Sequence, residues 1–355
     1  MNKRTLGRTG LQVSAIGLGA IKFDEIEEVI IGDLVNGAID KGINLIDTAR
    51  AYDSSERRIG AVLGRRRKDV ILSSKSVSRT ADEMRRDIET SLHDLRTDYI
   101  DIYKAHNLRR PADYETAMKP GGAVEALERA RDEGLIRHIG ISGHRYHDTL
   151  EKAILSGRFE VLMVAYNVLN DELMDERILP LAKEHDLGTL IMKPLGGGVL
   201  GARPEGLKFG GEAASRAITV ADAIAFVLAN RNVDCAVVGM TSVAELQEDV
   251  AAAEEACKLT PERAAELVAA AERFGKDFCR GCGYCLPCPQ GIIIPVVLRH
   301  LFYYKKYDLQ AWARRRYSVV EVKADSCVAC GDCTERCPYE LKISELLEEA
   351  HKLLS

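Results

Sequence analysis

No apolar run in this chain approaches the roughly 18 residues that a helix needs to cross a bilayer, so no membrane span is expected. An excess of positive charge is also missing: 49 Lys and Arg face 54 Asp and Glu, for a net charge of −5. That balance offers no footing for nucleic acid or an anionic membrane as partner. What is there, 46% hydrophobic and 29% charged residues, is the composition of a soluble globular protein. At 355 residues the chain exceeds one ordinary domain, and two or three are expected. The opening MNKRTLGRTGLQVSAIGLGAI puts basic residues before apolar ones, as signal peptides do, but the alternation in LQVSAIGLG reads as a strand.

Cysteine is concentrated. Eight of the ten lie in two groups, CRGCGYCLPCP and CVACGDCTERCP. Cys279, Cys282, Cys285 and Cys288 are separated by two residues each; Cys327, Cys330 and Cys333 repeat that spacing, and Cys337 follows after three. A loop that returns a thiolate every third residue can wrap three corners of an iron–sulfur cube, and the proline-flanked fourth cysteine ligates the other cluster. Two [4Fe–4S] clusters are therefore expected, one on Cys279, Cys282, Cys285 and Cys337, the other on Cys327, Cys330, Cys333 and Cys288. Structural zinc is the alternative, but its sites use pairs of cysteines rather than triplets followed by Cys-Pro. The first group departs from the usual bacterial run in having two residues, Leu286 and Pro287, before its last cysteine. Ligands to oxygen-sensitive iron imply a reducing compartment, so a cytoplasmic location is expected. Cys235 and Cys257 stand outside the two groups and read as small core residues.

Ahead of the cysteines, apolar runs suited to buried parallel strands recur at 13–19, 43–47, 70–75, 99–106, 138–142, 161–167, 189–194 and 235–240, after a short polar hairpin-like start. Amphipathic stretches lie between them; Met84, Ile88, Leu92 and Leu95 fall on one helical face. Eight strand–helix units in about 255 residues is the size of a (β/α)8 TIM barrel. An open doubly wound sheet is the competing α/β architecture. The expected division is a barrel over 1–258, a linker helix over 259–276 with Thr260 as cap and Gly275 as stop, and a small, mainly helical ferredoxin-like domain over 277–355.

Active sites of TIM barrels form at the C-terminal strand ends. Asp47 ends the second run, Lys75 the third and His106 the fourth, and Tyr52 lies in the loop after the second. Here the chain resembles the aldo-keto reductases over roughly residues 3–258, on LGRTGLQVSAIGLG, NLIDTARAYDSSERRIG, ILSSK, IDIYKAH, RHIGISG and IMKPLGGG in that order. The resemblance implies an oxidoreductase acting on a small carbonyl or alcohol with a nicotinamide cofactor. Carried over by position, Tyr52 is the proton donor, Lys75 and Asp47 lower its pKa, and His106 orients the carbonyl. The residue types suit those tasks. A phenol with a pKa near 10 needs an adjacent ammonium to give up its proton readily, and a buried lysine in turn needs a carboxylate.

The resemblance also places cofactor contacts at Ser142, Gly143, Asn167, Lys193, Pro194, Leu195, Gly198, Gly239 and Thr241. The chain departs from the family at several of these strand ends. Gly143, Met163 and Met192 stand where the family has Asn, Gln and Tyr, and Asp53 stands where Gly is common. Glu245 lies where a cation would meet the 2′-phosphate of NADP, which favours NAD. Gly196, Gly197 and Gly198 read either as a pyrophosphate approach or as a flexible loop. Hydride carriers move two electrons together and clusters move one, so a flavin between them is a further expectation.

A ferredoxin-type carrier is a candidate partner, with Arg314 to Arg316 as a docking patch if not simply a solvated face, as the run Arg65 to Lys68 also reads. Two alternatives stay open: a conventional NAD(P)H carbonyl reductase with structural clusters, and an electron-transfer partner protein whose barrel is a docking platform.

Overall fold

A computed structural model of the chain describes residues 1–108, 111–144, 146–169, 173–201, 218–272, 277–307 and 309–355. The polar start forms an antiparallel hairpin of Lys3–Thr5 (β1) and Gln12–Ser14 (β2). The run expected as one strand over 13–19 is split at this point. The backbone amide of Ser14 donates to Asn44 Oδ1 (2.7 Å) and Ser14 Oγ accepts from the Asn44 amide (3.0 Å). This clasp separates the hairpin from the next strand, Ile16–Gly19 (β3).

From there strand and helix alternate: Glu28–Asp40 (α1), Leu45–Asp47 (β4), Ser55–Leu63 (α2), Ile71–Ser76 (β5), Ala81–Leu95 (α3), Ile100–Ala105 (β6), Pro111–Met118 (α4), Ala123–Asp132 (α5), Ile136–Gly143 (β7), His147–Leu155 (α6), Val161–Ala165 (β8), Leu179–Glu184 (α7), Gly188–Met192 (β9), Val220–Ala229 (α8), Cys235–Gly239 (β10) and Val243–Glu255 (α9). β3 to β10 close into an eight-strand barrel in which every neighbouring pair is parallel. β3, β4, β5 and β8 are buried along their whole length, as strands covered by helices outside and side chains inside must be. On α3 the buried set is Met84, Ile88, Ser91 and Leu95 rather than one including Leu92. The Ser91 hydroxyl is tolerated there because it meets the Tyr103 hydroxyl at 3.0 Å.

The barrel interior is graded along its axis. Leu6 and Val13 from the hairpin join Leu45, Ile71, Ile102, Val161, Leu190 and Cys235 in one apolar cluster, which plugs the N-terminal end. Because side chains alternate along a strand, the positions two residues on face the same interior nearer the C-terminal end. There the sequence turns polar: Asp47 after Leu45, Ser73 and Lys75 after Ile71, Lys104 and His106 after Ile102.

The chain divides into two compact units, Met1–Pro194 with Val220–Leu259, and Leu195–Thr219 with Thr260–Ser355. The second holds the helices Pro261–Glu272 (α10), Ile294–Lys306 (α11), Gln310–Ser318 (α12), Asp332–Arg336 (α13) and Ile343–Leu354 (α14). Thr260 Oγ1 accepts from the Arg263 amide (3.2 Å), capping α10, and Pro261 occupies its first position. Its expected stop, Gly275, lies outside the described residues, as does the side chain of Cys257. The core of this unit is aromatic, with Phe278 against Phe302 (centroids 4.8 Å apart) and Tyr303 against Trp312 (5.4 Å). Ile343, Leu347, Ala350 and Leu354 form the buried stripe of α14. Among the described residues, no helix is long and apolar enough to cross a membrane.

Candidate functional site

Asp47, Lys75 and His106 are all buried at the C-terminal ends of β4, β5 and β6. Lys75 Nζ donates to Asp47 Oδ2 (2.5 Å) and to the Thr48 carbonyl (2.7 Å). The same Nζ stands 4.7 Å from the centroid of the Tyr52 ring, and the His106 ring meets that ring edge-on at 6.1 Å. Three strands and one loop thus bring the four expected groups together.

The Tyr52 loop is fixed by short-range bonds. Thr48 Oγ1 and Ser55 Oγ lie 2.9 Å apart, Ser55 Oγ reaches the Ala20 carbonyl (2.9 Å), and Arg50 pairs with Glu56 and with Asp94 (2.8 Å). Asp53 adopts φ +39°, the left-handed conformation that glycine favours and Asp tolerates. Asp can therefore hold the turn without changing its path.

A fifth group, the third that carries charge, completes the set. Lys104 is fully buried, and its Nζ donates to Asp47 Oδ1 (2.7 Å) and to Ser73 Oγ. Ser73 Oγ in turn donates to Asp47 Oδ1 (2.9 Å). Burial raises the carboxyl pKa of Asp47, but the ammoniums of Lys104 and Lys75 outweigh it and hold the group at about 2. Burial pushes Lys104 down; Asp47 opposes this and Lys75 adds to it, leaving it at about 8. Burial, then the Lys75 charge, holds His106 well below the ordinary histidine value. It is therefore a neutral imidazole at neutral pH, able to hydrogen-bond an oxygen without carrying charge.

Of the expected cofactor contacts, Ser142, Gly143 and Gly239 lie in β7 and β10, Asn167, Lys193, Pro194 and Thr241 follow the ends of β8, β9 and β10, and Leu195 and Gly198 belong to the second unit. Ser142 Oγ accepts from the Asn107 amide (3.0 Å). Asn167 braces two strand ends, donating through Nδ2 to the Lys193 carbonyl (3.0 Å) and accepting through Oδ1 from the Leu169 amide (2.9 Å). Thr241 gives its amide (2.6 Å) and hydroxyl (2.9 Å) to Glu245 Oε2 at the start of α9. Gly239 is exposed at the end of β10, and Pro194 is buried just after Lys193.

Sequence reasoning missed Lys104, Asn107 and His144. Buried Asn107 carries an Oδ1 with no hydrogen-bond partner among the described residues. A carboxamide such as that of nicotinamide has the N–H this atom lacks, so the strand ends fit such a group. Buried His144 is held well below the usual histidine range by burial and then by the charges of Lys193, His106 and Lys75, which places it within their electrostatic reach. Lys104 was legible in principle, since it shares the inward alternation of Ile102 and His106.

In the second unit Cys279, Cys282, Cys285 and Cys337 line one pocket with Ile294, Leu298 and Tyr339. The thiols surround this space without converging. Among the described residues no three His, Cys, Asp or Glu side chains form a single-ion site, and a cube ligated at separate iron corners asks for the wider spread. Burial and then the neighbouring thiols push Cys285 above the usual thiol value. Cys333 is likewise raised by burial, with Cys327 and Cys330 among its neighbours. Arg336 donates to the carbonyls of Leu286 and Pro287 (both 3.1 Å), tying the residues before Cys288 to the second cysteine loop.

The glycine run is part of this unit. Gly197 has φ +76°, and a Cβ there would stand 2.1 Å from the Arg280 carbonyl oxygen. Gly198 has open space around it, and the Tyr307 hydroxyl donates to the Val199 carbonyl (2.5 Å). The tight approach of Gly197 to Arg280 accounts for one of the three glycines without a pyrophosphate.

A closed parallel barrel with buried acid–base groups at its C-terminal mouth is the architecture of a TIM-barrel enzyme. Residues 15–272 match the Aldo/keto reductase family and residues 278–342 match a 4Fe-4S dicluster domain. The chain belongs to the aldo/keto reductase family and is an oxidoreductase that carries an iron–sulfur domain. L-galactose dehydrogenase of Arabidopsis thaliana is 30% identical over 71% of this chain and 88% of its own length. An NADH-specific methylglyoxal reductase of Escherichia coli is 28% identical over 55% of this chain and 66% of its own. The holo structure of an aldo-keto reductase from Bacillus halodurans superposes with a TM-score of 0.64 at 27% identity, covering 76% of this chain and 96% of that one.

Proposed function

We propose that the barrel interconverts a small carbonyl compound and its alcohol, with Tyr52 giving its phenolic proton to the carbonyl oxygen and recovering it in the reverse direction. The observation that carries this reading is the Lys75 ammonium set between the Asp47 carboxylate and the Tyr52 ring, 2.5 Å from one and 4.7 Å from the centroid of the other. An ammonium beside a phenol stabilises the phenolate and makes proton transfer near neutrality feasible. Asp47 keeps that ammonium charged in a buried place, and neutral His106 is suited to hold the carbonyl oxygen in line. A nicotinamide, when bound, supplies the hydride. Ser142, Gly143, Asn167, Lys193, Pro194, Gly239 and Thr241, joined by Asn107, are the groups proposed to hold it.

NAD is favoured over NADP. The Glu245 carboxylate already takes the Thr241 amide and hydroxyl, leaving negative charge where a 2′-phosphate would sit. The relative whose name specifies NADH agrees with this preference.

The eight cysteines are proposed to hold two [4Fe–4S] clusters, on Cys279, Cys282, Cys285 and Cys337 and on Cys327, Cys330, Cys333 and Cys288. Their one-electron traffic, matched to hydride chemistry by a flavin, is proposed to pass to a ferredoxin-type carrier. Protein purified without oxygen should contain about eight irons and eight sulfides per chain. A supernatant without flavin absorbance after acid denaturation removes the flavin from this account. Tyr52→Phe should abolish carbonyl turnover with NADH while cofactor content stays constant; full activity in that variant refutes the proton-donor role. NADH turnover undiminished while the clusters stay oxidised would favour a conventional reductase with structural clusters.

A further inference from the structure

We propose that Lys104 is a positioning residue of the barrel site: its ammonium shares the Asp47 carboxylate with Lys75 and leaves this buried set with one net positive charge, which favours the phenolate of Tyr52. The inference rests on the proposed proton-donor role of Tyr52 and deepens it.

The geometry is built across four adjacent strands. Lys75 on β5 is in register with Lys104 on β6, and Lys104 with Gly140 on β7. Asp47 divides its two oxygens, Oδ2 to Lys75 and Oδ1 to Lys104. Gly140 leaves the space through which the lysine stem runs, since a Cβ there would stand 2.6 Å from Lys104 Cγ.

The groups facing this set are Asp47 from β4, Ser73 and Lys75 from β5, Arg79 after β5, whose guanidinium donates to the His106 (2.8 Å) and Asn107 (3.0 Å) carbonyls, His106 at the end of β6 and Cys235 from β10; Gly140 on β7 brings no charge. His106 is neutral, and burial holds the Cys235 thiol protonated. Within the set one carboxylate and two ammoniums set the balance, and the Arg79 cation is the same in every variant compared. A lysine–aspartate pair alone is neutral, so its pull on a neighbouring phenol is muted. The second ammonium restores that pull. A second buried cation on one carboxylate is also costly to keep out of water, which an apolar side chain filling the same space would avoid.

The test compares Lys104→Met, which keeps the stem's shape and loses both charge and hydrogen bond, with Lys104→Gln, which keeps a hydrogen bond to Asp47 and loses only charge. The Tyr52 ionisation midpoint is read in resting protein as the phenolate absorbance difference between each background and the same background carrying Tyr52→Phe. Circular dichroism confirms that the variants are folded. Both substitutions should raise the midpoint by about half a pH unit or more, and the inflection of the alcohol-oxidation pH profile should rise with it. The two titrations are coupled, because Lys104 gives up its own proton near 8.

A midpoint unchanged in both variants overturns the proposal, as does a shift in Lys104→Met alone, which would assign Lys104 to packing or hydrogen bonding. Carbonyl turnover that survives Tyr52→Phe would sink the proton-donor reading instead. The midpoint comparison needs no turnover and still decides the role of Lys104.

Discussion

The barrel and the C-terminal unit bury reactive groups in opposite ways. At the barrel mouth a carboxylate and two ammoniums sit on adjacent strands and satisfy one another, so these charges find their partners within the protein. In the C-terminal unit Cys279, Cys282, Cys285 and Cys337 line a pocket, and the proposed partners of their thiolates are irons. The difference teaches that strand register can fix charges against each other, whereas a loop of thiols gains its order from what it ligates.

Four experiments probe that contrast. The largest effect is expected from Cys282→Ala, which should cost about half the bound iron and lower the melting temperature read from cluster absorbance. The barrel's circular dichroism should stay intact; a barrel that unfolds along with the lost cluster would break the contrast. Next comes Lys75→Met, expected to lower kcat about 10²- to 10⁴-fold without changing iron content. A variant within a few fold of wild type would contradict a charge-based site.

Acid should then weaken the barrel pair in a defined window. The folded Asp47 carboxyl, at about 2, lies below its ordinary 3.8. Its contribution is present in full above that ordinary value and is lost as pH falls from about 4 to about 2. Urea denaturation should show the stability gap between wild type and Asp47→Asn closing by about 2 kcal/mol over that range; a pH-independent gap refutes the pairing. Lys104 gives the same slope in a higher window. Its folded value of about 8 lies below 10.5, so its burial opposes folding at neutral pH and is relieved as pH rises from 8. The smallest effect is expected from Gly197→Ala, which forces a side chain into a left-handed backbone against the Arg280 carbonyl. A loss of about 1–2 kcal/mol should appear in the C-terminal unit, with the barrel's acid–base behaviour unchanged.

Much of the fold was legible because each buried strand is a short apolar run closed by a polar residue, as in INLID, VILSSK and IDIYKAH. The same punctuation exposed Asp47, Lys75 and His106, while the cysteine spacing carried the iron–sulfur reading. Lys104 escaped because a lysine in IDIYKAH looks like any strand-end cation until its neighbours are known. Asn107 and His144 escaped for the same reason: each lies just past a residue already singled out, and its place depends on a strand distant in sequence. The run Arg65 to Lys68 read as a solvated face, yet Arg67 lies over the Tyr99 ring (4.2 Å) and pairs with Asp101 (2.8 Å).

By itself the sequence determined which strands exist, what closes each of them, and that two thiolate ladders follow the barrel. Those properties are local, set by side-chain alternation and by spacing along one stretch of chain. Only the tertiary structure decided that one carboxylate serves two lysines. It also decided that Gly197 is held against Arg280. These depend on barrel closure and chain return, which bring together residues tens of positions apart, and no local pattern encodes the distances between them.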